Sequence, residues 1–247
     1  MRYFLELAYL GTAYHGWQKQ PDAVSVQEKI EQVLSRLLQK KIEIVGAGRT
    51  DAGVHAKQLF AHFDTEEFLD EEEMLYKMNS MLPKDIAISR ILRVKNNTHA
   101  RFDALSRSYE YCIVQEKDPF LINKAYYLKQ HLNVDKMNEA AQILKNYRNF
   151  KCFSKSRTDV KTYNCIIESA EWKRKGELLV FHITADRFLR NMVRAIVGTL
   201  LQIGQGKNSV ENLHDIIKSE DRGMAGASVP AHGLFLTQIK YPKIEVD

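Results

Sequence analysis

The chain has 247 residues, 45% hydrophobic and 27% charged, which suits a soluble globular protein with one large core or two smaller ones. Its 36 Lys and Arg against 31 Asp and Glu give a net charge of +5. Cys112, Cys152 and Cys165 are odd in number and too far apart for a disulfide framework or a Cys-x-x-Cys zinc site, so a reduced, cytoplasmic protein without metal is expected.

Residues 3 to 9 alternate like a strand, and Glu6 interrupts them, so the start lacks the apolar core of a signal peptide and nothing reads as a membrane span. Ser25-Val26-Gln27-Glu28 is a capping box, and Val26, Ile30, Val33, Leu34 and Leu37 follow at helical spacing. Strands are predicted at 42 to 46 and 58 to 64. A second box at Asp70-Glu71-Glu72-Glu73 opens a helix to about Ser80, and Pro83 ends it before the alternating strand Ile86-Ala87-Ile88-Ser89. A long strand begins near Leu105, where Tyr109, Tyr111 and Ile113 alternate with Ser108, Glu110 and Cys112. A helix follows from about Asp135 to Asn146, then a hairpin of 166 to 172 and 178 to 184 turning around Lys173-Arg174-Lys175-Gly176. The last predicted helix carries an apolar stripe of Phe188, Leu189, Val193, Ile196, Val197 and Leu200. On another face Arg187, Asn191 and Arg194 fall at i, i+4 and i+7, either a solvated face or a row aimed at one ligand. No repeat or linker separates the halves, so the expected division is 1–104 and 105–247, each an α/β subdomain.

The run Gly46-Ala47-Gly48-Arg49-Thr50-Asp51-Ala52-Gly53-Val54-His55 follows the predicted strand at 42 to 46. It is not a dinucleotide fingerprint, because Asp51 stands where the third glycine belongs and a carboxylate repels pyrophosphate. It is not a P-loop either, because no Lys-Ser/Thr follows Gly53. Asp51 is then either a turn residue bonded to nearby amides or a nucleophile kept ionised by Arg49 and oriented by the loop. His55 has no partner at metal-ligand spacing.

The positive charge is uneven. Residues 1 to 105 hold 14 basic and 15 acidic side chains and residues 106 to 247 hold 22 and 16, while residues 145 to 207 alone hold 13 and 5. Tyr147, Phe150, Phe153 and Tyr163 are interleaved there with Lys145, Arg148, Lys151, Lys155, Arg157 and Lys161. Such a stretch is either a solvated surface over core aromatics or a polyanion site in which cations meet phosphates and rings stack on bases.

The unbroken run Gly48-Arg49-Thr50-Asp51-Ala52-Gly53-Val54-His55 resembles the active-site segment of the TruA family of tRNA pseudouridine synthases. The resemblance extends through Tyr14-His15-Gly16-Trp17-Gln18, His99-Ala100-Arg101-Phe102, Arg107-Ser108-Tyr109-Glu110-Tyr111, Phe188 to Arg194, and Ala231 to Leu236, in family order. It implies an α/β (α+β) fold of two pseudo-symmetric subdomains, with antiparallel sheets, packed helices and an active-site cleft between them. It also implies a homodimer that binds tRNA on a basic surface and isomerises uridines at positions 38, 39 and 40 of the anticodon stem-loop, with no cofactor.

Carried over by motif position, Asp51 resembles the nucleophile and Arg49 the arginine beside it that assists base extrusion. Tyr109 corresponds to the tyrosine that stacks on uracil, and Arg194 to the arginine that pairs with the carboxylate. Arg101 and Arg190 are implied substrate contacts, and Leu234 and Phe235 are expected to wall the pocket. Gly226-Ala227-Ser228-Val229-Pro230-Ala231 departs mildly from the usual Gly-x-Thr-Ala-Pro-Ala at Ser228 and Val229. The rival from another class is a non-catalytic RNA-binding protein or tRNA chaperone, which would keep the basic surface but not require Asp51.

Overall fold

The computed structural model describes residues 1–155 and 160–243; Arg157 of the basic and aromatic stretch lies outside them. The chain divides into two compact units, Met1–Leu105 together with the segment from Leu236 onward, and Ser106–Phe235. Both are mixed α/β.

The first unit contains β1 (Arg2–Tyr9), α1 (Val26–Leu37), β2 (Val45–Gly46), β3 (His55–Asp64), α2 (Glu71–Met81) and β4 (Ile86–Val94). Strand β1 lies between β3 and β4 and is antiparallel to both, with Phe4 opposite His62 on one side and Leu92 on the other. The helices start where the capping signals place them. Ser25 accepts from the Glu28 amide at 3.2 Å and Asp70 from the Glu73 amide at 2.9 Å, each satisfying a donor the helix itself leaves open.

The predicted strand at 42 to 46 shrinks to Val45–Gly46, and the cause is a different hydrogen-bond partner. Ile42 and Ile44 are buried, as the alternation requires, but their backbone is matched by side chains of α1 rather than by a strand. Gln27 donates to the Ile44 carbonyl at 3.0 Å, Glu31 accepts from the Ile44 amide at 3.1 Å, and Ser35 accepts from the Ile42 amide at 2.9 Å. These three residues recur every four positions, so one stripe of the helix does what a ladder would do.

The second unit contains β5 (Ser106–Val114), β6 (Tyr126–Tyr127), α3 (Val134–Ile143), β7 (Ile167–Lys175), β8 (Leu178–Ala185), α4 (Met192–Gly204) and α5 (Asn212–Lys218). Strand β8 runs antiparallel between β5 and β7, while the short β6 runs parallel to β5. Helix α3 packs on α4 and β7, and α4 is buried on nearly all sides. That burial explains its apolar sequence, since a helix with no wet face needs no polar stripe.

Helix α4 does not extend back to Phe188. Asn191 precedes it in the left-handed region at φ +67, a conformation that cannot continue a right-handed helix. Arg187 and Asn191 therefore do not share a helix face with Arg194, and the expected i, i+4, i+7 row is not formed.

The last strand, β9 (Leu234–Lys240), neighbours β3, so the first unit has the strand order β4-β1-β3-β9. Within that unit the Ile239 amide donates to Gln58 at 2.9 Å and the Leu105 amide to the Lys240 carbonyl at 2.8 Å. Tyr241 packs edge-on against Phe4 and Phe60.

Candidate active site

The loop that carries Asp51 joins β2 to β3. It leaves the sheet after Ala47, whose amide still reaches the Phe60 carbonyl at 2.7 Å, and re-enters at His55. Between them Val54 donates to the Asp51 carbonyl at 3.2 Å, and Gly53 takes φ +78, which a side chain would resist. Asp51 is thereby held half-buried at a tight turn, with Arg49 exposed two residues before it.

The segment from Tyr9 to Trp17 clamps this loop. The Tyr9 and Thr50 hydroxyls are 2.8 Å apart, the Trp17 amide donates to the Thr50 carbonyl at 3.3 Å, and the Gly53 amide donates to the Tyr14 carbonyl at 3.3 Å. Gly16 sits at φ +93, and a Cβ on it would overlap the Thr50 carbonyl oxygen, so the second motif of the sequence, Tyr14-His15-Gly16-Trp17-Gln18, serves as the seat of the first. Tyr14 is itself tied by its phenol to Asp85 at 2.6 Å, and burial with that bond raises the phenol well above its ordinary range.

His55 closes the clamp from the other end. Its ring is buried, and Nδ1 accepts the Gly11 amide at 2.9 Å, which requires that nitrogen to be unprotonated. Sequence spacing left His55 without a role, because its partner is 44 positions away. Among the described residues no group of three or more His, Cys, Asp or Glu is arranged to hold a metal ion.

Tyr109, Arg190, Arg194, Leu234 and Phe235 belong to the second unit. Tyr109 lies on β5 opposite Ile183, and its ring meets Phe188 edge-on with centroids 5.1 Å apart. Tyr111, two residues along the same face, is fully buried and donates its hydroxyl to the Pro230 carbonyl at 2.9 Å; burial pushes its phenol up. Arg194 stands in the first turn of α4, where its Nε donates to the Val229 carbonyl at 2.8 Å while the Val229 amide returns to the Arg194 carbonyl at 3.2 Å. One edge of the guanidinium is thus fixed to the segment that follows α5.

Ser228, a departure from the family pattern, keeps the hydroxyl that a threonine would offer. It accepts from Asn191 at 2.6 Å and from Arg222 at 2.9 Å, binding that segment to the start of α4. Val229 is buried and meets Arg194 through its backbone carbonyl and amide.

Phe235 joins Cys112, Val114, Ala125 and Val180 in an apolar cluster. Those β5 residues alternate with Tyr109 and Tyr111, so the ring lies on the opposite face of β5 from the two tyrosines. Leu234 is buried, Arg190 is exposed, and its carbonyl accepts from the Lys155 amide at 3.0 Å. Arg101 is exposed in the first unit, on the turn after β4. Burial pushes the Cys152 and Cys165 thiols up to about 12, which suppresses the thiolate a nucleophile would need.

The family model for tRNA pseudouridine synthase matches residues 7–103 and 140–242, spanning the Asp51 loop, its clamp and the Arg194 helix. The chain belongs to this family. Tyr109 falls between the two matched stretches. The synthase relatives align over nearly their whole length. The tRNA pseudouridine synthase A of Parabacteroides distasonis is 50% identical over 243 residues, 98% of this chain and 96% of that protein. That of Bacteroides fragilis is 51% identical, covering 98% and 97%. The more distant synthase of Syntrophomonas wolfei is 40% identical and covers 97% of both chains.

Proposed function

We propose that this chain is a tRNA pseudouridine synthase that isomerises uridines at positions 38, 39 and 40 of the anticodon stem-loop, with Asp51 as the nucleophile. The reaction breaks the bond from uracil N1 to the sugar C1′ and joins C5 to the same carbon. N1 gains a proton and C5 loses one, so the conversion is redox-neutral and needs no group donor. What it needs is a carboxylate held against the sugar and uracil, a surface that retains the cleaved base, and compensation for unstacking.

The observation that carries the reading is the clamp. A carboxylate that served only the turn would not call for a pair of hydroxyls, two backbone bonds from a neighbouring segment and a buried imidazole to fix its loop. Pre-positioning of this kind is what converts a weak nucleophile into an effective one.

The other roles follow the family resemblance. Arg49 assists extrusion of the base, Tyr109 stacks on the uracil, and Arg194 is the guanidinium partner of the catalytic carboxylate. Arg101 and Arg190 meet the RNA backbone, and Leu234 shapes the pocket; Phe235, expected beside it, instead packs in the apolar cluster on the other face of β5. Removal of a base from its stack costs a few kcal/mol, which phosphate contacts and stacking offset. The proposed working form is a cytoplasmic homodimer whose basic, RNA-binding surface includes the exposed Lys145, Arg148, Lys151, Lys155 and Lys161, while Phe150 and Phe153 between them are core. The family relatives are named as enzymes, and no feature of the chain favours a non-catalytic chaperone.

The test is site-resolved pseudouridine mapping of an unmodified tRNA incubated with the purified chain and with Asp51→Asn. Conversion at positions 38 to 40 by the parent alone is expected, with tRNA affinity of the variant within about threefold of the parent, a shift of about 0.65 kcal/mol. Turnover by Asp51→Asn would remove the nucleophile assignment, and binding without conversion by the parent would leave only the chaperone.

A further inference from the structure

The turn after β4 is fixed at every amide from Thr98 to Asp103. Thr98 donates to the Lys95 carbonyl at 2.9 Å, His99 to the Asp103 carboxylate at 2.7 Å, and Ala100 to His62 Nδ1 at 3.2 Å. The amides of Arg101 and Phe102 both donate to His99 Nδ1, at 3.1 and 3.3 Å, and that of Asp103 donates to the His99 carbonyl at 3.1 Å. Two carbonyls of the turn are also taken, Thr98 by the Arg2 guanidinium at 2.8 Å and Ala100 by the Tyr241 hydroxyl.

What this rigid turn displays is a phenyl ring in water. Phe102 is 75% exposed although Ala100 beside it is fully buried. The ring leans on His99 with centroids 4.3 Å apart, and the Arg101 guanidinium carbon lies 5.8 Å from its centroid. A loop with no partner has no use for a large apolar side chain at its tip or for so complete a set of bonds behind it.

We propose that Phe102 and Arg101 form a stacking platform for an unpaired nucleotide of the tRNA substrate, outside the uridine that is isomerised. The ring offers a π-face to the base, the adjacent guanidinium meets the neighbouring phosphate, and the histidine-locked turn presents both without an ordering cost. The proposal rests on the tRNA reading above and adds a second contact to it. RNA is favoured over a protein partner because a cation beside an exposed aromatic matches the paired charge and stacking chemistry of a nucleotide.

The experiment compares the parent with Phe102→Ala, Phe102→Leu, Phe102→Tyr and Arg101→Ala, using unmodified tRNA. It measures affinity across a salt series and single-turnover conversion at saturating enzyme. Loss of the ring should weaken binding roughly 5- to 100-fold while tyrosine stays near the parent. Phe102→Leu should resemble alanine, because its side chain has no π-face. The salt slope should be unchanged by Phe102→Ala and smaller by about one unit for Arg101→Ala. The conversion rate at saturation should be that of the parent for the three Phe102 variants.

Parent-like affinity of Phe102→Ala, or of Phe102→Leu, overturns the platform. So does a change in sedimentation of Phe102→Ala with unchanged tRNA affinity, which would assign the ring to a protein interface. If the parent itself neither binds nor converts tRNA, the underlying reading has failed rather than the platform alone.

Discussion

His55 shows how much a single side chain contributes to the position of another. It touches neither RNA nor the reacting atoms in this reading, yet the Gly11 amide it accepts is buried and has no water to turn to. Truncation to alanine leaves that donor unsatisfied and opens a cavity, a cost of about 2 to 3 kcal/mol. The expected effect on turnover is larger than on binding, because a displacement of about 1 Å at a reacting group costs on the order of a hundredfold. His55→Ala should therefore lower kcat by about 10- to 100-fold with little change in KM. His55→Asn, whose amide oxygen reaches the place of Nδ1, should recover most of the loss. A parent-like kcat for the alanine variant, or no rescue by asparagine, would show that the clamp at this end is dispensable. The same residue marks a limit of sequence reading. The family motif draws attention to Asp51 and Arg49, but the bond from the Gly11 amide to His55 ties the loop motif to a residue that no motif contains.

At the scale of elements, the legible parts were those written locally. Both helix starts in the first unit are encoded within four residues, by Ser25 with Glu28 and by Asp70 with Glu73, and the structure uses both. Alternation located β1, β5 and the β7–β8 hairpin for the same reason. It misled at 42 to 46, where the apolar residues are buried as expected but Gln27, Glu31 and Ser35 replace a partner strand. It misled again before α4, where apolar spacing runs unbroken through Asn191 and only the backbone angle ends the helix. The turn after β4 was visible as a motif, though not as a device, because its lock depends on His62 from β3. That lock has a pH signature. Burial, then the nearby Arg2 charge, lowers His62 to about 4 from an ordinary 6.5, and His99 is lowered by the same causes. Above pH 6.5 His62 is neutral in both the folded and unfolded states. Between 6.5 and 4 the unfolded chain takes a proton that the folded one refuses, so stability falls as pH falls through that window and levels off below it. The loss from His62 is about 2 to 3 kcal/mol, allowing for partial screening. Urea unfolding at pH 7, 5.5 and 4 should show it, and His62→Asn, which keeps an acceptor for Ala100 but cannot titrate, should flatten the dependence. An equally steep fall in that variant would place the acid sensitivity elsewhere.

For the whole molecule, the order of the chain and the membership of the units do not coincide. Residues 106 to 235 intervene between two segments of one unit, so the first unit is incomplete until its last strand has been made. The contribution of that strand is substantial against a domain stability of about 5 to 15 kcal/mol. Ile239 is 4% exposed, and burying such a side chain is worth about 1.5 to 3 kcal/mol. The two ring contacts of Tyr241, at 5.8 Å to Phe4 and 5.2 Å to Phe60, add roughly 0.5 to 1.5 kcal/mol each. Without the strand, Gln58 loses the Ile239 amide and β3, covered on that side only where β2 pairs His62 and Ala61, presents an open edge before them, which invites pairing with other chains. A fragment of residues 1 to 105 should therefore be unstable or aggregate, although it holds the Asp51 loop and its clamp intact. The same fragment with residues 236 to 243 joined through a flexible linker should fold cooperatively, with amide protection returning along β3. If the unextended fragment folds with the same midpoint in urea, the last strand is a covering rather than a member of the first unit, and the loop that carries Asp51 needs nothing from the far end of the chain.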